Sequence, residues 1–407
     1  MLDIQFIRDN PDLVTEKSSQ KGYTVDIPRL LEVDTQRRTR LTQVEELRAR
    51  RNTLSDELKK GGKPSPEQIE QGKQLKEEIA KLEDELRPME GEFLSLLKKV
   101  PNMPLDDVPV GASEDENVVA KTVGELPIWD FKPKSHWEIA EARDLIDKER
   151  ATKVAGPRFA YIKGGLVQLE FAIIQFVIQA LTDEKVLQKL IEENGLSVPA
   201  KPFTPILPPA MIKTDVYDAM DRLEPRDDRY KVGEAEDDLW LQGSAEHTLG
   251  SMYMDEILPE SELPIRYLGF LTSFRREAGT YGKDTEGIIR MHQFDKLEME
   301  VFSTPETGLD EHKLLCAIQE YLVRQLDLPY HVLQKCTADI GKPNARGIDV
   351  EVWMPGQDKY RETHTADYMT DYQARRLKTR VRRSGGQKMG RWSSSTPMTP
   401  PPSPSAG

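Results

Sequence analysis

Two heptad patterns joined by a short turn occupy the first quarter of the chain and constrain its fold more than any other feature. In the first pattern, from about residue 28 to 60, the apolar residues are sparse but periodic. In the second, apolar residues recur at alternating spacings of four and three, at Leu75, Ile79, Leu82, Leu86, Met89, Phe93 and Leu96. Two glycines end the first helix, and Ser65-Pro66-Glu67-Gln68 forms a capping box that begins the second. These signals predict an antiparallel coiled-coil hairpin, hereafter the arm, over about residues 28–99.

The first helix of the arm is rich in arginine, whereas acidic residues dominate much of the second. The six arginines are Arg37, Arg38, Arg40, Arg48, Arg50 and Arg51. A solvated charged face is usual for a coiled coil and needs no ligand. The alternative is a strip that binds a phosphate backbone, which arginine favours because its planar fork matches phosphate oxygens. The pattern alone leaves both interpretations open.

Composition limits where the protein works and what it binds. The formal net charge is −13, so any binding of nucleic acid must use local basic patches instead of the overall field. Two cysteines, Cys316 and Cys336, are too few for a disulfide framework or a cysteine-rich metal site. The N-terminus carries charges instead of a signal peptide, and no apolar run approaches the ~20 residues of a membrane span. We therefore predict a soluble, cytoplasmic protein without a membrane partner.

Beyond the arm, helical and strand patterns alternate without a βαβ rhythm. The stretch GGLVQLEFAIIQFVIQALTDEKV predicts an apolar helix, while PIRYLGFLTSFRREAG, MHQFDKLEMEVF and GIDVEVWMP predict strands. This favours an α+β fold with an antiparallel sheet and flanking helices. The predicted domains are an N-terminal domain over 1–105, a linker over 106–120, a catalytic domain over 121–383 and a disordered Ser/Pro/Thr-rich tail over 384–407.

One charged segment within the predicted sheet indicates a ligand site. On a strand, Arg275 and Glu277 would share one face, and Arg290, Phe294 and Glu298 would share the face of the returning strand. A structural ion pair is one interpretation of the first two residues. Burying all these charges without a ligand would be costly, however, so a site for an anionic, aromatic ligand explains the pattern better. The chain has no glycine-rich phosphate loop, so phosphate binding would depend on arginines and a metal ion.

From Met1 to about Arg383 the chain resembles the seryl-tRNA synthetase family. The resemblance is carried, in order, by MLDIQFIRDNPDLV, PNMPLDDVPVG, FKPKSHWEI, LPPAMI, GSAEHTL, SFRREAG, RMHQFDKLEME, DVEVWMPGQDKYRET and DYQARRL. It implies the antiparallel catalytic sheet of the second synthetase class. It also implies ATP-dependent activation of serine to seryl-adenylate and transfer to the 3′ end of serine tRNA, whose long variable arm the coiled coil would grip.

The resemblance also implies a set of site residues. Arg275 and Arg290 would be catalytic. The ATP contacts would be Arg275, Arg276, Glu277, Phe294, Glu362, Thr363, His364 and Thr365. The serine contacts would be Ser244, Ala245, Glu246 and Glu298. Glu362 and Thr365 would bind Mg²⁺, the arginines of the arm would contact the tRNA, and Pro208 or Pro209 would belong to a homodimer interface.

Two departures from the family pattern lead to further expectations. Glu286 stands where the family usually has an arginine for the outer phosphates of ATP, which predicts weaker ATP binding. After Arg383 the family's third signature motif is not visible, although synonymous codons for Trp392 to Ala406 can be chosen so that a shifted frame encodes a similar segment. We therefore expect a catalytic domain truncated at its C-terminus and a misread tail, the alternative being an ordinary disordered tail.

Given these two departures from the family pattern, three functional hypotheses are considered. The first is an active serine–tRNA ligase. The second is a catalytically impaired synthetase that retains only tRNA binding. The third is a coiled-coil scaffold without RNA binding. Pyrophosphate exchange that depends on serine separates the first two, and a steep dependence of tRNA affinity on salt excludes the third.

Overall fold

The structure is a computed structural model that describes residues 1–61, 65–234, 236–278 and 287–383, together with the backbone of Ser405–Ala406. It divides into two compact units, Met1–Pro101 and Asn102–Gly407. The domain boundaries that the sequence suggests at residues 105, 120 and 383 remain predictions.

The first unit consists of four helices: α1 (Ile4–Asp9), α2 (Pro11–Gln20), α3 (Ile27–Gly61) and α4 (Pro66–Lys99). Helices α3 and α4 form the predicted arm, with 35 and 34 residues. The capping box is present, since the Ser65 hydroxyl accepts from the Gln68 backbone and the Gln68 side chain accepts from the Ser65 backbone. Val44, Ile79 and Leu86 are buried along the seam, as the heptad pattern predicts.

The second unit combines short helices with small sheets. Its helices are α5 (His136–Ala142), α6 (Lys148–Ala155), α7 (Gly165–Thr182), α8 (Glu184–Glu193), α9 (Thr214–Ala219), α10 (Glu246–Leu249), α11 (Gly308–Gln325) and α12 (Tyr372–Leu377). Its strands are β1 (Val118–Val123), β2 (Ile146–Asp147), β3 (Tyr161–Ile162), β4 (Thr204–Ile206), β5 (Met211–Lys213), β6 (Tyr230–Val232), β7 (Leu239–Leu241), β8 (Ile257–Pro259), β9 (Ile265–Phe274), β10 (Gln293–Phe302), β11 (Tyr330–Gln334), β12 (Arg346–Met354), β13 (Lys359–Tyr368), β14 (Arg380–Arg382) and β15 (Ser405–Ala406).

Two four-stranded sheets form the frame of this unit, which confirms the α+β prediction. One has the order β1-β11-β12-β13 and is antiparallel throughout. The other has the order β15-β10-β9-β4, in which β10 is antiparallel to β9 and to the short β15, and β4 is parallel to β9. Smaller sheets pair β5, β6 and β7, β8 with β14, and β2 with β3.

The long pair β9–β10 separates the main core from the polar site. Alternate residues of a strand point to opposite faces, so Met299 and Val301 of β10 join Leu268 of β9 in a buried apolar cluster with side chains of α8 and α11. The alternate residues of β10, Lys296, Glu298 and Glu300, therefore face the other way. This second face, although buried, is charged.

Helix α7 corrects one expectation from the sequence. By length and composition alone, this 18-residue helix could cross a membrane, although a single helix of this kind is weak evidence for a membrane span. Several of its apolar side chains are exposed, among them Leu169 and Phe171. The expectation that no apolar run approaches the length of a span was therefore too strict.

Three sequence features fall on residues that the structure does not describe. They are the predicted turn at Tyr281-Gly282-Lys283-Asp284, the unusual Glu286, and the tail from Ser384 onward apart from the backbone of β15. The expectations about ATP affinity, C-terminal truncation and a misread tail therefore remain predictions.

Candidate active site

A buried polar cluster lies where the charged face of β10 meets the loop before α10. The Ser244 hydroxyl donates to Oε2 of Glu298 at 2.5 Å, and the Lys296 ammonium lies 3.1 Å from the same oxygen. Lys296 Nζ also donates to Ser244 Oγ at 3.3 Å. Within the described part of the chain, the buried Oε1 of Glu298 has no hydrogen-bond partner. The carboxylate thus has one oxygen held by the protein and a second that can accept from a ligand.

The same loop presents a second buried carboxylate. Glu246 begins α10, and its Oε1 accepts from Arg222 Nε at 2.8 Å and from Gln373 Nε2 at 3.1 Å. Arg222 also donates to the Asn344 side chain at 3.4 Å, so it connects α10 to the segment just before β12. Ala245, between the two predicted ligands of serine, is fully buried. The four predicted serine-binding residues are therefore buried near one another in one polar cluster, hereafter the pocket.

Glycine at position 269 permits this arrangement. Gly269 of β9 lies directly opposite Glu298, and a Cβ atom there would lie 2.7 Å from Leu249 Cδ1 and 3.3 Å from Ala245 Cβ. A side chain would force the Leu249 side chain to move and would crowd Ala245 by a few tenths of an ångström. The absence of a side chain thus lets the loop that carries Ser244 and Glu246 lie close to Glu298.

Burial controls the ionisation of the pocket. Burial raises the pKa of Glu298, and the Lys296 ammonium opposes this rise. Burial lowers the pKa of Lys296, which Glu298 opposes. The pKa of the neighbouring His247 falls well below its usual value, first through burial and then through Arg229 and Arg222. His247 is therefore neutral near pH 7, whereas Glu298 depends on Lys296 for its charge.

The predicted ATP-binding arginine stacks on the predicted adenine-binding ring. The Arg275 guanidinium lies 5.3 Å from the centre of the Phe294 ring, and its Nε donates to the Gly243 carbonyl at 3.1 Å. A Cβ atom on Gly243 would meet the Arg275 side chain at 3.3 Å. Arg275 is therefore held between the Phe294 ring and the backbone at Gly243, next to Ser244.

The expectation that Arg275 and Glu277 share a strand face is wrong. Strand β9 ends at Phe274, and Glu277 has a left-handed backbone with φ of 51°. Arg290 likewise precedes β10, which begins at Gln293. Glu277 and Arg290 are nevertheless in contact, because Arg290 donates to Glu277 Oε2 at 2.8 Å.

Neighbouring groups fix the turn after β9. Arg158 donates to the Glu277 carbonyl at 3.4 Å, and the backbone N–H of Arg276 donates to the Asp228 carbonyl at 3.0 Å. The Arg276 guanidinium lies 4.9 Å from the centre of the Tyr230 ring. Arg276 thus packs on an aromatic ring while Glu277 points towards Arg290.

The remaining predicted ATP and metal residues lie on β13, in the other sheet. Glu362 is exposed and is paired in register with Glu351 of β12, whereas Thr365 is buried and its hydroxyl accepts from Lys335 at 3.1 Å. Between them, the Thr363 hydroxyl donates to the Val350 carbonyl at 3.2 Å. His364 Nδ1 lies 2.9 Å from the same hydroxyl, and burial lowers the pKa of His364 to about 4.

The arginines of the arm form two groups. Arg37 lies over the Phe93 ring and contacts Asp34, while Arg40 and Arg48 form ion pairs with acidic residues of α4, Glu85 and Glu83. The other three, Arg38, Arg50 and Arg51, are exposed and form no ion pair within the described part of the arm. Three of the six predicted arginines thus form ion pairs with acidic residues of the arm itself.

Two residues of the pocket were missed by sequence reasoning. Lys296 had a detectable signal, since it lies between Phe294 and Glu298 at the two-residue spacing that places all three on one strand face. Arg222 follows α9 in a loop far from the motifs, and nothing in its sequence context identifies it.

Comparison with known proteins shows the family of this chain. A family profile described as "Seryl-tRNA synthetase N-terminal domain" matches residues 1–104, and one described as "tRNA synthetase class II core domain (G, H, P, S and T)" matches residues 230–390. The serine–tRNA ligase of Symbiobacterium thermophilum is 39% identical over 391 residues, which is 95% of this chain and 88% of the relative. That of Syntrophobacter fumaroxidans is 40% identical over 393 residues, with the same shares covered.

A solved structure extends the similarity to three dimensions. The seryl-tRNA synthetase from Pyrococcus horikoshii, crystallised in complex with ATP, is similar with a TM-score of 0.83 and 33% identity. The similarity covers 100% of this chain and 91% of that one. The antiparallel frame and the core-domain match define a class II aminoacyl-tRNA synthetase. Within that class, the chain belongs to the serine–tRNA ligase family, whose function is to join serine to tRNA.

Proposed function

We propose that the pocket around Glu298 binds L-serine and that the adjoining turn around Arg275 binds ATP. The buried Oε1 of Glu298, without a partner among the described residues, carries this proposal because it matches the hydroxyl of serine. Ser244 and Glu246 would face the ammonium group of the substrate. Alanine would leave the buried carboxylate unpaired, and sites of this kind discriminate by about 10⁴-fold.

ATP fits the groups beside this pocket. Phe294 supplies an apolar ring for the adenine, and Glu277, oriented by Arg290, supplies an acceptor for its amino group. Arg275 lies between the ring and the serine pocket, which suits a contact with the α-phosphate and the serine carboxylate. Arg276, Thr363 and His364 would complete the lining.

The reaction needs positioning and charge stabilisation instead of a protein nucleophile. A carboxylate oxygen of serine attacks the α-phosphorus of ATP, the bond to the β-phosphate breaks, and pyrophosphate leaves. Negative charge grows on the α-phosphoryl oxygens, and a fixed guanidinium at Arg275 stabilises it. A hydroxyl of the terminal adenosine of the tRNA then attacks the activated carbonyl, and AMP leaves.

Mg²⁺ is the metal that we propose for the phosphates. Glu362 offers an exposed carboxylate beside Glu351. The pKa of Glu351 is raised, first by its own burial and second by the negative charge of Glu362. Such a pair of carboxylates suits a divalent cation, and Mg²⁺ commonly uses only one or two carboxylates in addition to substrate phosphates. Glu362, with the Thr365 hydroxyl, would hold the ion, which would neutralise charge on the phosphate oxygens.

The test of this function is ATP–pyrophosphate exchange that depends on serine. We expect exchange by the intact chain, and we expect Glu298→Gln to lower kcat/KM for serine by about ten- to a hundredfold, the usual effect of a hydrogen bond to a charged group. The control is Asp295→Asn, because Asp295 is exposed on the opposite face of β10 and accepts from Thr272. Absence of exchange by the intact chain would instead support the impaired synthetase.

For the arm, we propose binding of the phosphate backbone of serine tRNA, including its long variable arm. Duplex RNA is recognised mainly through backbone shape, which suits a long rod with projecting arginines. Arg38, Arg50 and Arg51 support this proposal best, since they are exposed and not paired within the described arm.

A salt titration compares the two groups of arginines. Replacing Arg38, Arg50 and Arg51 with alanine should reduce the slope of log affinity for tRNA against log salt by about two to three, because each phosphate contact contributes nearly one. Replacing Arg37, Arg40 and Arg48 should change the slope less, because these side chains already pair within the arm. Fluorescence anisotropy with labelled serine tRNA measures both. Equal slopes in both triple variants and the parent would contradict the proposal.

We also propose a cytoplasmic homodimer. Pro208 is buried and Pro209 exposed at the predicted interface, and Leu207 beside them is 79% exposed. Phe171 of α7 adds a further exposed ring. Apolar surface of this kind suits a second copy of the chain.

A further inference from the structure

Lys296 is the most deeply buried amine in the candidate active site and has no role in the function proposed above. Its side chain is 3% exposed, and that of Glu298 is fully buried. The ammonium contacts both Glu298 Oε2, at 3.1 Å, and Ser244 Oγ, at 3.3 Å. It therefore contacts two of the groups to which serine recognition is assigned.

Stability alone does not explain a lysine at this position. Replacing a buried ion pair by well-packed apolar residues is often neutral or stabilising, so such a pair is weak support for a fold. The residue opposite Lys296 on β9 is Leu271, and Ala245 and Leu249 lie in the same apolar cluster as Leu271. The surroundings could thus accommodate an apolar pair, and the presence of charge points to a requirement of the ligand.

We propose that Lys296 is a positioning residue that keeps Glu298 ionised and holds its Oε2, so that Oε1 is left to accept from the substrate hydroxyl. Lys296 thereby sets the preference for serine over alanine without contacting the substrate itself. This inference rests on the proposed assignment of Glu298 to serine. It predicts a variant whose selectivity, and not merely its stability, depends on pH.

The sign of that dependence follows from the groups around Glu298. Burial raises the pKa of Glu298, the Lys296 ammonium lowers it, and Glu246 of α10 raises it again. Among the described residues, Arg275, after β9, also lowers the pKa of Lys296, and the nearby His247, on α10, is neutral. Removing the ammonium therefore raises the pKa of Glu298 further. At neutral pH a larger fraction of Glu298 is then protonated, and the carboxylate returns as the pH rises.

The experiment measures the binding of two stable analogues of the adenylate, seryl-sulfamoyladenosine and alanyl-sulfamoyladenosine, by calorimetry between pH 6.5 and 9. The unmodified chain should prefer the seryl compound by at least about 100-fold at pH 7. In Lys296→Gln this preference should be at least about tenfold smaller at pH 7, and it should return towards the parent's value as the pH rises. Lys296→Arg, which keeps the charge, should retain the preference throughout the range.

Each other outcome has a definite meaning. An unchanged preference and pH profile in Lys296→Gln, with or without a lower Tm, would show a structural role and overturn the inference. If Lys296→Gln does not fold, Lys296→Met replaces it, and failure of both to fold overturns the inference as well. If the parent binds both analogues equally, the assignment of Glu298 to serine is wrong, and the inference falls with it.

Discussion

Replacing Arg275 with alanine should lower the rate of serine-dependent pyrophosphate exchange by about 10²- to 10³-fold, the usual effect of losing one preorganised charge-stabilising donor. The guanidinium is held by the Gly243 carbonyl and the Phe294 ring, so it is already positioned before substrates bind. Its loss should affect kcat more than the KM for serine, because the charge that it stabilises develops mainly in the transition state. Exchange with labelled pyrophosphate at saturating ATP and serine measures the effect.

The matched control is Arg324→Ala, at an exposed arginine of α11 whose Nε donates to the Glu320 carbonyl of the same helix at 3.3 Å. This control should leave exchange unchanged. A large fall in Tm of the Arg275 variant would indicate that Arg275 has a structural role. Unchanged exchange would refute both the catalytic and the structural assignment.

Local rules made the arm predictable from the sequence. Heptad spacing depends only on the helical period, and the capping box depends only on residues three apart, so neither needs the rest of the protein. The structure accordingly contains the Ser65–Gln68 box and a buried seam that includes Val44 and Ile79. The heptad pattern does not predict which arginines form ion pairs across the hairpin. The Arg48–Glu83 ion pair, for example, depends on the register between α3 and α4.

The site was only partly predictable. The two-residue period of β10 correctly places Phe294 and Glu298 on one face, but the same rule fails for Glu277, which lies in a left-handed turn beyond the end of β9. Strand ends are set by tertiary contacts, here the bonds from Arg158 and to Asp228, which are more than forty residues away in sequence. The two-residue period of a strand cannot predict such contacts between residues that are distant in the sequence.

Arg222 shows the limit most clearly. It pairs with Glu246 and also bonds Asn344, which is distant in the chain, so its role exists only after the two sheets have assembled. Burial alone would lower the pKa of Arg222, but Glu246 and Asp367 raise it above its usual value. A single arginine in a loop carries no periodic or motif signal, and only the folded structure can reveal its partners.

Shortening the arm should strongly reduce tRNA charging at low tRNA concentration while sparing adenylate formation. We would remove residues 44–82 and join Gln43 to Glu83 through a glycine-rich turn, which keeps Arg40–Glu85 and Arg29–Glu92 at the base. The variant loses Arg48, Arg50 and Arg51 together with about 26 Å of each helix, at ~1.5 Å per residue. Because serine and ATP contacts are assigned to the second unit, exchange should stay within about twofold of the parent, while aminoacylation at low tRNA should fall at least about 100-fold, the range expected when several phosphate contacts are lost.

The two activities separate the explanations for this variant. A fall of exchange and charging together would mean that shortening the arm damages the catalytic unit, and circular dichroism would then show a loss of structure. Charging that equals the parent's would refute the assignment of the arm to tRNA, since nothing else in the variant replaces its phosphate contacts. Loss of charging that is restored by raising the tRNA concentration would place the effect in binding. This is the result that we expect, because the arm has no residue in the proposed reaction and its arginines can contribute only affinity.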